Sequence, residues 1–269
     1  MSVALPIALA VGLWWLTTIL LLWRMRLPPS TFGTTMGIAS ALGLAGCAGF
    51  WFSLDDATVV GAYIAFASAL ALWCWHETSY FLAFITGPRP EGCPPDASGW
   101  QRFVFGVRAS LYHELAIIAT AAVMLVLAAG ADNTVGVQTF VVFWLMRWST
   151  KLNIFFGVSN LHEHFWPERL RYLSSYVAAR NGNGFFPVSI ALAALLAWWV
   201  SLPLAQAAAG SFPATGAWLV LTLLGLACLE HVFLMLPIPD EVLWRWGLGT
   251  PAPAGAARVG TARKPIHRL

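Results

Sequence analysis

The chain reads as an all-α, polytopic membrane bundle of about seven transmembrane helices, and three observations lead there. Its 269 residues are 59% hydrophobic and only 10% charged. Mean hydropathy is +0.71, well above that of an ordinary soluble domain. The apolar residues also fall into runs long enough to cross the hydrocarbon layer, which takes about 20 helical residues. Backbone polar groups in lipid must be satisfied within their own segment, so these runs are helices rather than strands.

The first span, 3–23, has no basic residue ahead of it and no small-x-small cleavage site, so it is expected to stay as an anchor. Spans 35–54 and 57–85 follow, separated by the short acidic turn at Asp55 and Asp56. Residues 86–102, TGPRPEGCPPDASGWQR, are rich in Pro and Gly and form an irregular connector. Spans 103–129 and 136–156 come next; the second of these is the least apolar, because Arg147 and Lys151 lie inside it. In 157–183, Leu161, Phe165, Leu170, Leu173 and Tyr176 are interleaved with charged residues, which suits a segment lying on the cytoplasmic interface or folded back over the bundle. Spans 185–204 and 214–236 complete a single domain over 1–246. Residues 247–269 have the composition of a disordered basic tail near anionic lipid.

Lys and Arg set the expected orientation. With seven spans, all 15 fall on or nearest one side, whereas the opposite loops hold Asp55, Asp56 and Asp132. The amino terminus is then outside and the carboxyl terminus in the cytoplasm. The net charge of +3 is thus a topology signal, and no basic–aromatic pattern points to nucleic acid. Cys47, Cys74, Cys93 and Cys228 form no CxxC pair and are expected as reduced thiols.

Chemistry enters through histidine beside glutamate. His76 adjoins Glu77, His113 adjoins Glu114, Glu163 lies between His162 and His164, and Glu230 adjoins His231. Six His and seven Glu placed at random would give roughly 0.3 such adjacencies, against five in the sequence. The topology puts all four groups toward the cytoplasmic side, the first two about 15 Å in from the helix ends. Ionisable groups inside a membrane are costly and face a partner or a functional site. Three arrangements satisfy the pattern: a dinuclear metal site, with iron first among Fe, Mn and Zn; haem or chlorophyll ligation by two or three of the histidines; and structural or proton-relay pairing. In the first, one member of each pair ligates and its neighbour supports it, since adjacent helical residues point about 100° apart. Glu-x-x-His and His-x-x-His-His signatures are both missing. Arg147 and Lys151, four residues apart, either neutralise this acidic layer, hold an anionic substrate group such as a propionate, or snorkel to the interface. Tyr80 and Tyr112 lie near two of the pairs, as site hydrogen-bond donors or as packing.

Three stretches, FITGPRPEGCPPDASGWQRF (84–103), LYHELAI (111–117) and MRWSTKLNIFFGVSNLHEHFWPERLRYLSSY (146–176), resemble the PuhE-type photosynthetic complex assembly proteins of purple phototrophic bacteria. The resemblance covers about residues 75–180. It implies an inner-membrane role in bacteriochlorophyll supply and assembly of reaction-centre or light-harvesting complexes, with a tetrapyrrole as ligand. Two functions follow as expectations. One is an O2-dependent di-iron oxidase making an oxidative cyclisation-type change in a tetrapyrrole. The other is a non-enzymatic factor that binds bacteriochlorophyll or haem during assembly.

The orientation is checked with reporter fusions. Alkaline phosphatase fused after Asp132 is expected to be active, and fused after Arg89 inactive.

Overall fold

The computed structural model describes residues 3–159, 167–177 and 182–236. Seven long helices form: α1 (Ala4–Met25), α2 (Phe32–Ser53), α3 (Val59–Phe81), α4 (Gly99–Leu127), α5 (Val135–Phe156), α6 (Phe185–Ser201) and α7 (Phe212–Met235). Short 3-10 helices lie at Pro29–Thr31, Glu168–Tyr176 and Leu202–Ala205. No strand occurs among the described residues.

Helix ends follow local chemistry. Leu27–Pro28–Pro29 stops α1, since proline cannot continue the hydrogen-bond ladder. Thr58 caps α3 by accepting from the Gly61 N–H at 3.1 Å. Asn183 caps α6, its Oδ1 accepting from the N–H groups of Phe185 and Phe186 at 2.9 and 3.0 Å. The same side chain donates to the Gly157 carbonyl at 2.6 Å, tying the end of α5 to the start of α6. At the other end of the bundle Asn133 binds the Leu54 and Asp56 carbonyls, joining the α2–α3 and α4–α5 turns.

Six helices, all but α5, are long and apolar enough to cross a membrane. Helix α5 falls short of that standard because it carries Arg147, Lys151, Ser149 and Asn153. It sits in the middle of the bundle, packed against α3, α4, α6 and α7. Large apolar side chains such as Leu16, Leu44, Phe52, Val126 and Leu195 face outward from the other helices. Such a coat suits lipid and would not suit water.

Apolar packing forms three clusters. The largest joins α1, α3, α5, α6 and α7 around Phe66, Val142 and Leu219. A second joins α2 to α5 around Phe50, Trp73, Ile117 and Phe140. The third seats Leu170, Leu173 and Tyr176 against Tyr80 and Ala109. The amphipathic segment therefore folds back over the bundle, at least over Glu168–Tyr176. Leu161 and Phe165 lie outside the described residues, as do the tail 247–269 and the intervening 237–246.

The third span is shorter than its apolar run. Sequence carries it to residue 85, but α3 ends at Phe81 and the chain turns through Ala83, whose φ is +60°. A non-glycine residue in the left-handed region is uncommon. Here it lets the N–H groups of Phe84 and Ile85 both bond to the Ser79 carbonyl, at 2.8 and 3.1 Å. The chain then runs beside α4, where the His113 N–H donates to the Thr86 carbonyl at 2.9 Å. Gly87 makes this approach possible, because a Cβ there would collide with the Arg108 and Ala109 backbone.

Gly87→Ala is therefore expected to cost about 1–3 kcal/mol through overpacking against backbone. Gly12→Ala, where nothing lies within 4 Å, serves as the control that keeps or raises stability. Thermal unfolding of the two variants in detergent checks the difference.

Candidate functional site

Glu77, Tyr80 and Phe81 lie three to four residues apart on α3 and so share a helix face. Arg147 and Lys151 are a similar i, i+4 pair on α5. These faces meet. The Glu77 carboxylate Oε2 accepts from Arg147 Nη2 at 3.1 Å. On α4, the Glu114 carboxylate is paired with Lys151 Nζ. Arg147 also lies over the rings of Phe81 and Tyr80, with centroids 5.3 and 5.9 Å away, and Lys151 is 5.1 Å from the Tyr80 centroid. Tyr80 in turn stacks on His113 at 4.4 Å. Cations, phenol ring and imidazole thus form a layered stack, each cation gaining from the ring's negative face.

All four charged groups sit where water is scarce: Glu114 is 4% exposed at its side chain, Glu77 11%, Arg147 22% and Lys151 25%. Two acids and two bases leave this set neutral. Of the sequence-based alternatives for Arg147 and Lys151, neutralisation of the acidic layer is what their geometry performs.

The histidines divide. His113 is fully buried, and neither ring nitrogen has a hydrogen-bond partner among the described residues. Its Nε2 is 4.0 Å from Glu77 Oε1, too far for a hydrogen bond. His76 Nε2 lies 3.0 Å from the Thr120 hydroxyl, and its Nδ1 has no partner. The two rings are 6.4 Å apart, so both belong to the layer of Glu77. His231 belongs elsewhere. Its Nδ1 donates to the Ala227 carbonyl at 2.7 Å, which in the neutral ring leaves Nε2 to accept from the Ser149 hydroxyl at 2.8 Å. Ser149 is two residues from Arg147, on the opposite side of α5, where Asn153 donates to Ser189 at 3.1 Å and continues a polar seam. Glu230 is exposed on the flank of α7. His162, Glu163 and His164 lie outside the described residues. Tyr80 joins the site, whereas Tyr112 is 54% exposed and points away from it.

Fit to a metal follows from these distances. Glu77 Oε1, Glu114 Oε2, His76 Nδ1 and the His113 nitrogens are buried without partners, so lone pairs remain. Yet each carboxylate is already compensated by a cation, and His231 has spent both nitrogens. Among the described residues no three His, Cys, Asp or Glu side chains could hold one ion. The described residues alone do not make a dinuclear centre. The four cysteines are free thiols.

Beside the Glu114–Lys151 pair is a partly open cavity of about 130 Å³, between α4, α5 and the Glu168–Tyr176 strap. Tyr80, Phe103, Trp148 and Phe155 give it aromatic walls, and Leu173, Tyr176 and Val177 close one side. The strap is held down at several points. The Tyr176 hydroxyl donates to the Glu91 carbonyl at 2.9 Å, Arg102 donates to the Tyr176 carbonyl at 2.6 Å, and the Cys93 N–H donates to Ser175 Oγ at 2.8 Å. The volume has room for about four waters, enough for the edge or side arm of a large planar molecule. None of the described histidines lines it. Sequence reading passed over Trp148 and Tyr176 as site residues. A signal for the former existed: Trp144, Trp148, Lys151 and Phe155 recur at the spacing of one helix face.

Two comparisons match and one does not. The chain matches the family profile DUF3623, described as a protein of unknown function, over residues 1–254. It is 35% identical over 244 residues, 88% of each chain, to a Rhodobacter capsulatus protein described as an uncharacterized 30.4 kDa protein in the puhA 5′ region. No solved structure matches.

Removing one member of a buried ion pair leaves its partner uncompensated, a loss of about 3–5 kcal/mol. Arg147→Met is expected to lower stability on that scale, and adding Glu77→Gln to recover part of it. A double-mutant cycle from unfolding curves in detergent measures the coupling.

Proposed function

The chain belongs to the DUF3623 family, and from that premise and its site we propose that it is a membrane factor of photosynthetic complex assembly that binds a tetrapyrrole. The observation that carries this reading is the aromatic cavity with an ion pair in its wall, at the bundle end where the basic loops gather. Flat aromatic walls suit a conjugated ring, and a few polar groups in an apolar pocket orient a ligand. The puhA setting of the R. capsulatus relative and the likeness to PuhE-type assembly proteins supply the photosynthetic context. An intracytoplasmic membrane and contact with reaction-centre or light-harvesting subunits belong to the same proposal. The pigment would be held by stacking and by Lys151 rather than by an axial histidine, since no described imidazole faces the cavity.

A second reading, the di-iron oxidase acting on a tetrapyrrole, draws on one specific observation. Buried acceptor atoms on Glu77, Glu114, His76 and His113 lack protein partners within a single layer. It would need further donors, for which the His162–Glu163–His164 segment is the candidate.

Cells without the chain separate the two. The assembly reading expects broad loss of complexes with an intact pigment pathway, and purified protein carrying a tetrapyrrole absorption band. The oxidase reading expects one accumulating precursor and iron in the purified protein at a dinuclear ratio. A purified protein with neither pigment nor iron, and cells with normal complexes, would sink both.

A further inference from the structure

The cavity wall contains polar groups that the fold itself does not use. Lys151 carries three N–H donors, and the hydrogen bond to Glu114 accounts for one. Glu114 Oε2 and Trp148 Nε1 are buried and have no partner among the described residues, and both residues line the cavity. Exposure decides which charge a ligand meets. Lys151 is 25% exposed and Glu114 only 4%, so the lysine is the more accessible member of the pair. Arg147, the other cation of the layer, is not in the cavity wall.

We propose that Lys151 anchors a free carboxylate on the ligand and that Glu114 takes up the proton this releases, so that the cavity selects the unesterified form of the pigment. The identity of the ligand's body rests on the tetrapyrrole reading above. The selectivity follows from charge conservation in a medium where an uncompensated charge is costly. An acid enters as neutral R–COOH. Its O–H bond breaks, the proton moves to the Glu114 carboxylate, and the Lys151 ammonium shifts from Glu114 to the new ligand carboxylate. One ammonium and one carboxylate are buried before and after, so the exchange adds no net charge. An ester has neither a proton to give nor a charge to pair. It leaves the Lys151–Glu114 pair closed and binds through its ring alone.

The full-length protein in detergent is titrated with protoporphyrin IX and with its dimethyl ester, following the porphyrin absorption band. The free acid is expected to bind at least ~10-fold tighter than the ester, the scale of a charge-assisted hydrogen bond. Lys151→Met, paired with Glu114→Gln so that no buried carboxylate is left uncompensated, is expected to abolish that preference, and thermal unfolding in detergent reports that the bundle has folded. Lys151→Arg is expected to keep the preference. Equal binding of acid and ester by the wild-type protein, or a preference that persists in the folded double variant, overturns this inference and leaves the tetrapyrrole reading standing. Failure of the wild-type protein to bind either porphyrin overturns the tetrapyrrole reading, and this inference with it.

Discussion

Two buried ion pairs, Glu77 with Arg147 and Glu114 with Lys151, are the constraint around which this bundle is organised. A helix carrying an arginine and a lysine in its apolar stretch cannot face lipid without large cost. Helix α5 is therefore the inner helix, enclosed by α3, α4, α6 and α7, while the more uniformly apolar helices present leucine, valine and phenylalanine outward. Each pair holds α5 to a different neighbour, Arg147 to α3 and Lys151 to α4. The opposite face of α5 is also polar, through Ser149 and Asn153, and is satisfied by His231 and Ser189 of α7 and α6. Charge thus sets which helix is central, and hydropathy sets which ones surround it.

Charge balance also shapes the chemistry. Glutamates compensated by protein cations need no metal to survive burial, and that weakens the case for a metal built on burial alone. Among the described residues the pairs still leave one oxygen on each glutamate and several imidazole nitrogens without partners. Such atoms are costly to bury unmatched. At Glu114 the unmatched oxygen belongs to a residue of the cavity wall. Around His113 and His76 the unmatched nitrogens are enclosed by Tyr80, Phe140 and Trp75. One layer of polar residues therefore has an end that borders the cavity and a sealed end.

Backbone turns decide how deep that layer lies. Because α3 ends at Phe81 and the chain returns beside α4 through Gly87, Glu77 is only four residues from its helix end, while Glu114 is fifteen residues into α4. The short α3 leaves space over Tyr80, which the Glu168–Tyr176 strap fills with Leu170, Leu173 and Tyr176. The cavity exists because the strap, α4 and α5 surround that space without closing it.

The all-helical membrane class, nearly every span and the interior status of the His76–Glu77 and His113–Glu114 pairs were legible in the sequence. They depend on partition between lipid and water and on local spacing, both of which a linear chain displays. The doubt attached to the fifth span was also visible, in Arg147 and Lys151. What tertiary structure decided was pairing. Whether Glu77 meets a metal, a histidine or Arg147 depends on the rotation and register of packed helices, and packing among many side chains fixes those. His231 shows the limit most clearly: it adjoins a glutamate like the others, yet its ring turns to Ser149 on the far face of α5. Adjacency in sequence places two side chains about 100° apart on a helix. Which of the two reaches a shared site is settled only when the neighbouring helix is in place.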